Sequence, residues 1–312
     1  MNCLITGGAG FIGSHLIDSL LEYGYSIVCV DDLSLGKMEN IYHHFDNHKF
    51  MFAQVDILDD NFENIFKENK FDIVFHMAAN SDIAMGCNNP DVDFNKTFMT
   101  TYKVLMNMKK YKINNIIFAS SSAIYGDTKK LLNEESGPLT PISHYGAAKL
   151  SSEAFISSFA ENYNQTAWIV RFPNVVGGRA THGVVHDLIK KLNINKNELE
   201  ILGNGEQTKP YLYVKDLIEA IFFISEKSNS RINIFNVGVE SRAKVKEIVE
   251  IIIDELKVSP KIRYTGSDRG WVGDVPEFRY DLSKIQKLGW KANYSSTEAI
   301  RKAVREIASE NK

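Results

Sequence analysis

The run Thr6-Gly7-Gly8-Ala9-Gly10-Phe11-Ile12-Gly13 constrains this chain more than any other stretch. Apolar Cys3-Leu4-Ile5 precedes it, and a helix-like segment, Ser14 to Tyr23, follows it. A strand, a glycine-dense turn and a helix start therefore occur together. Such a turn leaves bare backbone N–H groups at a helix N-terminus, where a dinucleotide pyrophosphate can sit. Glycine is needed because a Cβ would block the approach or forbid a positive φ. Gly7, Gly10, Phe11, Ile12 and Gly13 are accordingly the expected cradle. The plainer alternative is a turn that only packs a helix onto a strand.

Beyond this turn, short β-rich runs alternate with amphipathic stretches. Strands are predicted over Ser26 to Val30, Phe50 to Val55, Phe71 to His76, Ile116 to Ala119 and Ala167 to Phe172. Helices are predicted over Asp59 to Glu68, Asp91 to Tyr111 and His144 to Tyr163. The alternation predicts an α/β fold, a Rossmann-type doubly wound parallel sheet with both faces covered. Ligands of such sheets bind beyond the C-terminal strand ends. After about residue 174 the regularity falls. Thr181 to Leu192, Lys215 to Ser225, Ala243 to Leu256 and Ser295 to Ser309 read as helices, and Ile232 to Val237 as a returning strand. The expected division is a dinucleotide-binding domain over 1–173, with a return segment at about 212–239. A smaller C-terminal α/β substrate lobe would use 174–211 and 240–312. A chain of 312 residues accommodates both.

Composition narrows the class. At 44% hydrophobic and 24% charged residues, the chain is an ordinary globular one. A net charge of −3 without a basic block argues against a nucleic-acid partner. No apolar run approaches the ~18 residues of a membrane span. The sequence enters its first strand at once, so no signal peptide is expected. Cys3, Cys29 and Cys87 make no disulfide framework, and no metal is expected. A cytoplasmic enzyme fits these features.

Asp31 and Asp32 end the second strand, where a carboxylate can accept hydrogen bonds from the adenosine ribose. Either acid would repel a ribose 2′-phosphate, and no arginine stands near in sequence, so NAD is expected over NADP. Asp31 is the better candidate. Asp56-Ile57 ends the third strand, within reach of an adenine amino group. Small Ala78-Ala79, after His76-Met77, would let the cofactor pass close to the backbone. His76 itself reads as a packed core histidine.

Tyr145 and Lys149 stand one helical turn apart and so share a face. A phenol with a pKa of roughly 10 must be made more acidic to act as a base near neutral pH. A lysine ammonium and an oxidised nicotinamide supply that bias. The phenolate could then take a hydroxyl proton while hydride leaves the same carbon. Tyr-x-x-x-Lys also occurs at Tyr125/Lys129, Tyr211/Lys215 and Tyr280/Lys284, but only Tyr145/Lys149 lies inside a long helical segment. Just past the fifth strand, Ser120-Ser121-Ser122 offers a hydroxyl that could orient the reacting oxygen.

Together, Thr6–Gly13, Asp31, Asp56, His76–Ala79, Ser121–Gly126, Tyr145–Lys149, Asn174 and Gly273–Pro276 resemble the extended short-chain dehydrogenase/reductase family, in its nucleotide-sugar branch. The resemblance implies Ser121 as the catalytic hydroxyl, Tyr145 as the base, and Lys149 as its partner and a nicotinamide-ribose contact. It implies Asn174 and Arg269 as contacts of the sugar diphosphate. Lys209 stands where relatives often carry another arginine, keeping the charge without the bidentate geometry. Thr97 replaces a cofactor-contacting asparagine, and Ser81 a lysine of many UDP-galactose epimerases.

The resemblance also implies the opening step, oxidation at the sugar C4 by NAD. A 4,6-dehydratase would carry an Asp-Glu pair after the catalytic Ser/Thr, whereas this chain has Ser122-Ala123. The glutamate of decarboxylating relatives is absent from the same stretch. A nucleotide-sugar 4-epimerase is the expected activity. The alternatives are a 4-dehydrogenase releasing a keto sugar and NADH, and a redox-sensing NAD-binding protein. The unusual segment Thr181 to Asp187 keeps a GDP- or CDP-linked sugar or heptose open as the donor. Helices 91–111 and 144–163 could pair with copies of themselves into a homodimer.

Overall fold

The computed structural model describes residues 1–267 and 275–310. Seven strands form its central sheet: β1 (Asn2–Thr6), β2 (Ser26–Asp31), β3 (Phe50–Gln54), β4 (Ile73–His76), β5 (Asn115–Ser121), β6 (Thr166–Phe172) and β7 (Ile232–Asn236). Their order is β7-β6-β5-β4-β1-β2-β3, and every neighbouring pair is parallel. The order reverses at β1, which places a crevice beside the glycine turn.

The strands are apolar on both faces, as a covered parallel sheet requires. Alternate residues serve opposite layers. Cys3 and Ile5 of β1 pack with Leu16, Ile17 and Leu20 of α1 (Phe11–Glu22) and, on the same face, with Leu217 and Ile221 of a later helix. Leu4 packs on the other face with Phe62 and Phe66 of α2 (Phe62–Glu68), Val104 and Met108 of α3 (Thr100–Tyr111), and Ile156 and Phe159 of α4 (His144–Tyr163).

A third apolar cluster joins α5 (Val184–Ile194), the first residue of α6 (Val214–Lys227), α7 (Val245–Leu256) and α8 (Ser296–Glu310). Three small strand pairs accompany it: Asn174–Val176 with Tyr211–Tyr213, Glu198–Ile201 with Lys261–Tyr264, and Thr208–Lys209 with Ala243–Lys244. None of these is apparent from the sequence, because two to four residues cannot show a period.

One expected helix is interrupted. The stretch from Asp91 to Tyr111 divides into Pro90–Asp93, a π-helical turn at Phe94–Met99, and α3. Threonine hydroxyls account for the seam. Thr100 Oγ1 donates to Lys96 O at 3.0 Å and Thr101 Oγ1 to Thr97 O at 2.7 Å, so side chains engage carbonyls one turn back. The helix expected from Thr181 begins at Val184, after Gly183 at φ +100°. Among the described residues, no helix is long and apolar enough to cross a membrane.

Candidate active site

The glycine turn has the geometry its sequence requires. Gly7 holds φ +70°, and a Cβ there would lie 2.6 Å from Ala78 N. A Cβ on Gly13 would overlap the Gly7 carbonyl oxygen, so glycine lets α1 seat against the turn. Gly10 caps α1 in extended backbone with no side-chain cap bond. The N–H groups of Phe11, Ile12 and Gly13 open the helix and have no acceptor within it. Aligned peptide dipoles add positive potential at the same point.

Asp31 lies beside this turn, 8% exposed. Its carboxylate accepts the N–H of Ala9 at 2.9 Å and of Leu33 at 2.8 Å. Burial raises its pKa, and those backbone donors only partly oppose the rise. Asp31 therefore braces the turn while retaining lone pairs for a ribose hydroxyl. Asp32 and Asp56, from the ends of β2 and β3, both meet Lys96 Nζ, at 2.7 Å and 2.6 Å. The sequence search for a nearby arginine missed this lysine, because a π-helical turn far along the chain delivers it. Ile57 is buried, and Ala78-Ala79 lies half-buried beside Gly7.

At the C-terminal end of β5 the second group assembles. Ser143 caps α4, its Oγ accepting the Gly146 N–H at 3.1 Å, which starts the helix just before Tyr145. Tyr145 and Ser121 share a side-chain hydrogen bond. Ser121 Oγ also accepts the Ala123 N–H at 3.2 Å. Lys149 Nζ lies 5.7 Å from the centroid of the Tyr145 ring and donates to Ala119 O at 2.6 Å. Ser121, Tyr145 and Lys149 thus meet as their sequence positions suggest.

Burial opposes the lysine's share of the expected bias. Tyr145 keeps part of its surface open to the crevice, yet surrounding protein pushes its phenol up to about 12. The Ser121 hydrogen bond pulls down and the Asp93 carboxylate pushes up. Burial also draws the Lys149 ammonium down to about 7, against the carboxylates of Glu153 and Asp93. The chain's own charges do not acidify the phenol, because burial weakens the very ammonium meant to do so.

Behind this group lies a buried network that sequence reasoning missed. Arg171 NH2 donates to Glu153 Oε2 at 2.7 Å, with both side chains 5% exposed. Arg171 NH1 donates to Tyr125 OH at 3.0 Å, and Tyr125 OH donates to Asn236 Oδ1 at 2.7 Å. Ser120 Oγ donates to Glu153 as well. The signal available was the spacing: Glu153 continues the stripe Tyr145, Lys149 by one further turn. Tyr125, from a Tyr-x-x-x-Lys copy outside any long helix, is a buried member of a short 3₁₀ turn, Ser122–Tyr125. His76 is the core residue expected. It is fully buried between Thr6 Oγ1 at 2.6 Å and Thr101 Oγ1 at 3.0 Å, with burial lowering its pKa to about 3.

Asn174 is exposed at the start of its short strand, paired in register with Tyr211. Lys209 lies half-buried on Thr208–Lys209, and Thr208 N donates to Pro276 O at 2.8 Å, bringing the Val275-Pro276 end of the C-terminal motif beside it. Arg269 and Gly273-Asp274 lie outside the described residues.

A reversing parallel sheet with a glycine turn at its switch point, and a Ser-Tyr-Lys group two strands away, defines a dinucleotide-binding protein of the extended short-chain dehydrogenase/reductase class. Residues 4–303 match the family model described as GDP-mannose 4,6 dehydratase, and the chain belongs to that family. A solved UDP-galactose 4-epimerase is similar at 37% identity and a TM-score of 0.89, over 99% of each chain. The UDP-glucose 4-epimerase of Thermus thermophilus, solved with NAD, is similar at 27% identity and a TM-score of 0.88, over 98% of each chain. The dTDP-D-glucose 4,6-dehydratase of Mus musculus is 31% identical, over 96% of this chain and 87% of its own length.

Proposed function

We propose that the chain is an NAD-dependent 4-epimerase of a nucleotide-diphosphate sugar, with a UDP-linked sugar favoured by its relatives. One observation carries the choice over dehydration. The two positions after Ser121 are Ser122 and Ala123, on the 3₁₀ turn beside the hydroxyl, so no carboxyl stands there to move water across C5–C6. When bound, NAD would supply the hydride acceptor for the oxidation, the same hydride for the return step, and a positive charge. The residues present fit it: glycine at Gly7 and Gly13 where a Cβ would collide, open N–H groups at Phe11, Ile12 and Gly13, and Ala78-Ala79 flanking the turn.

In this reading Gly7, Gly10 and the first turn of α1 hold the pyrophosphate. Asp31 accepts from the adenosine ribose, with Asp32, Asp56 and Ile57 around the adenine. Ser121 Oγ orients the sugar 4-hydroxyl, and Tyr145 Oη accepts its proton. Lys149 holds the ribose near Tyr145 and stabilises the phenolate. On the return step, Tyr145 gives the proton back after the keto sugar has turned over, which inverts C4. Asn174 and Lys209, with Arg269 by the family resemblance, are assigned to the substrate diphosphate, in a lobe built from 174–211 and 240–312 on a domain of 1–173 and 212–239.

The exposed apolar residues Phe94, Met106, Phe155 and Tyr163, on and beside α3 and α4, support a homodimer through those helices. Light scattering at micromolar concentration should give twice the chain mass; a monomer mass would end that proposal.

The functional test follows cofactor absorbance across a panel of nucleotide sugars. Transient reduction with full return to NAD, and a product inverted at C4, is the expected result. Stoichiometric, persistent NADH would make the chain a 4-dehydrogenase. No response to any sugar would leave a redox-sensing binding protein.

A further inference from the structure

We propose that Lys96 is a positioning residue for the adenosine end of the cofactor site: by bridging Asp32 and Asp56 it fixes the carboxylate pair between which the adenosine lies. The inference rests on the NAD reading above and goes beyond it in assigning Lys96, for which the sequence offered no role.

The geometry is a three-point staple. Asp32 and Asp56 leave neighbouring parallel strands, β2 and β3, at their C-terminal ends. Each carboxylate is already oriented by its own loop: Asp32 Oδ1 accepts the Ser34 N–H at 2.9 Å, and Asp56 Oδ1 the Leu58 N–H at 2.9 Å. The second oxygen of each turns to one ammonium, Lys96 Nζ, at 2.7 Å and 2.6 Å. Without that ammonium, two like charges would face each other and their loops would spread. The lysine is held from behind, since its carbonyl accepts the Thr100 hydroxyl at 3.0 Å. It stands on the π-helical turn, a backbone form that often marks functional sites.

The side chains of Lys96, Asp32 and Asp56 are 35%, 25% and 30% exposed. They open at the crevice end of the sheet and are not a sealed core pair. Burial works against the Lys96 charge, and the two carboxylates outweigh it, leaving its pKa raised. The ammonium is therefore charged throughout the physiological range. With two of its three N–H donors given to the carboxylates, Lys96 acts through them.

The test uses purified protein stripped of nucleotide, with calorimetric binding of ADP-ribose, which carries the adenosine end without nicotinamide. Lys96→Met should weaken ADP-ribose and NAD about tenfold. Lys96→Arg, which retains charge and reach, should stay within about threefold of the parent chain. UDP affinity, read at the other side of the crevice, should not change, and a thermal melt checks folding. Lys96→Met binding ADP-ribose within a factor of two of the parent would overturn the proposal and make the bridge a loop staple only. A greater loss for NADP than for NAD would also overturn it, by making Lys96 a direct phosphate contact. If the parent chain binds neither ADP-ribose nor NAD, the cofactor reading itself falls, and this assignment with it.

Discussion

At the proposed adenosine end, Asp31, Asp32 and Asp56 are held by backbone N–H groups of their own turns and by a part-exposed lysine. At the reacting end, Tyr145 and Lys149 stand against a closed network running from Ser120 through Glu153 and Arg171 to Tyr125 and Asn236. Apart from buried Asp31 and the distant Lys96, the first rests on local turn contacts and part-exposed side chains, so single changes there should alter affinity by modest factors. The second is assembled from distant segments in low dielectric, where an unmatched polar group is expensive. A site that must bind a cofactor firmly, yet move one proton and one hydride with precision, has reason to be rigid only where the atoms react.

The largest effect expected is on chemistry. Tyr145→Phe removes the proton acceptor and leaves the ring, so turnover should fall about 10³-fold or more, in line with general acid–base contributions. NAD binding by the same variant should hold within a few-fold, since the cradle lies elsewhere. Turnover near the parent rate would refute the assignment of the base.

Next in size is stability. Arg171→Met strands Glu153 with its charge buried, which costs about 3–5 kcal/mol. Urea unfolding should show it as a lower midpoint, and adding Glu153→Leu should recover part of the loss. The part-exposed Lys96 pair, by contrast, should contribute at most about 1 kcal/mol to stability. Equal losses at the two ends would erase the distinction drawn between them.

The same contrast explains what could be read from the chain beforehand. The glycine turn, Asp31 and the Tyr145/Lys149 spacing are local signals, and each residue proved to stand where its neighbours imply. The parallel sheet was readable because its strands are apolar on both faces and separated by helical periods. Arg171, Glu153 and Lys96 carry no such mark. Arg171 interrupts an apolar strand, Glu153 resembles a solvated helix acid, and Lys96 sits in a stretch read as unbroken helix. Their roles appear only when residues more than a dozen positions apart meet. The lysine's share in acidifying the phenol was only partly legible for a related reason: proximity of an ammonium is visible in the spacing, but its burial is not.

The burial of that ammonium yields a pH test. Lys149 holds its proton more weakly in the folded chain, near 7, than the ordinary lysine value of 10.5. Between those values the unfolded chain binds more protons, so stability should rise with pH, by up to about 1.4 kcal/mol per unit for one proton. Tyr145, raised from 10.0 to about 12, acts oppositely, with stability lost as pH climbs from 10.0 toward 12. Urea unfolding between about pH 7.5 and about pH 9.5 carries the lysine slope ahead of the tyrosine transition, opposed toward its upper end by the Cys3 and Cys29 thiols that burial raises, so the difference between the parent chain and the lysine variant isolates Lys149. Lys149→Met should flatten the slope; an unchanged slope would show that the ammonium does not titrate there.

A modest effect belongs to Asp31, where structural and ligand roles overlap. Asp31→Ala frees the N–H groups of Ala9 and Leu33, which loosens the glycine turn and weakens any dinucleotide. It also removes an acceptor for the ribose hydroxyls and a negative charge facing a 2′-phosphate. The first consequence lowers NAD and NADP affinity alike, while the second lowers NAD and favours NADP. The net expectation is about a tenfold loss for NAD, close to 1.4 kcal/mol, and a smaller loss for NADP. Calorimetry on the stripped protein reads both. Equal losses would mean that Asp31 only braces the turn, and the choice between the two cofactors would then pass to Asp32 and its bridge to Lys96.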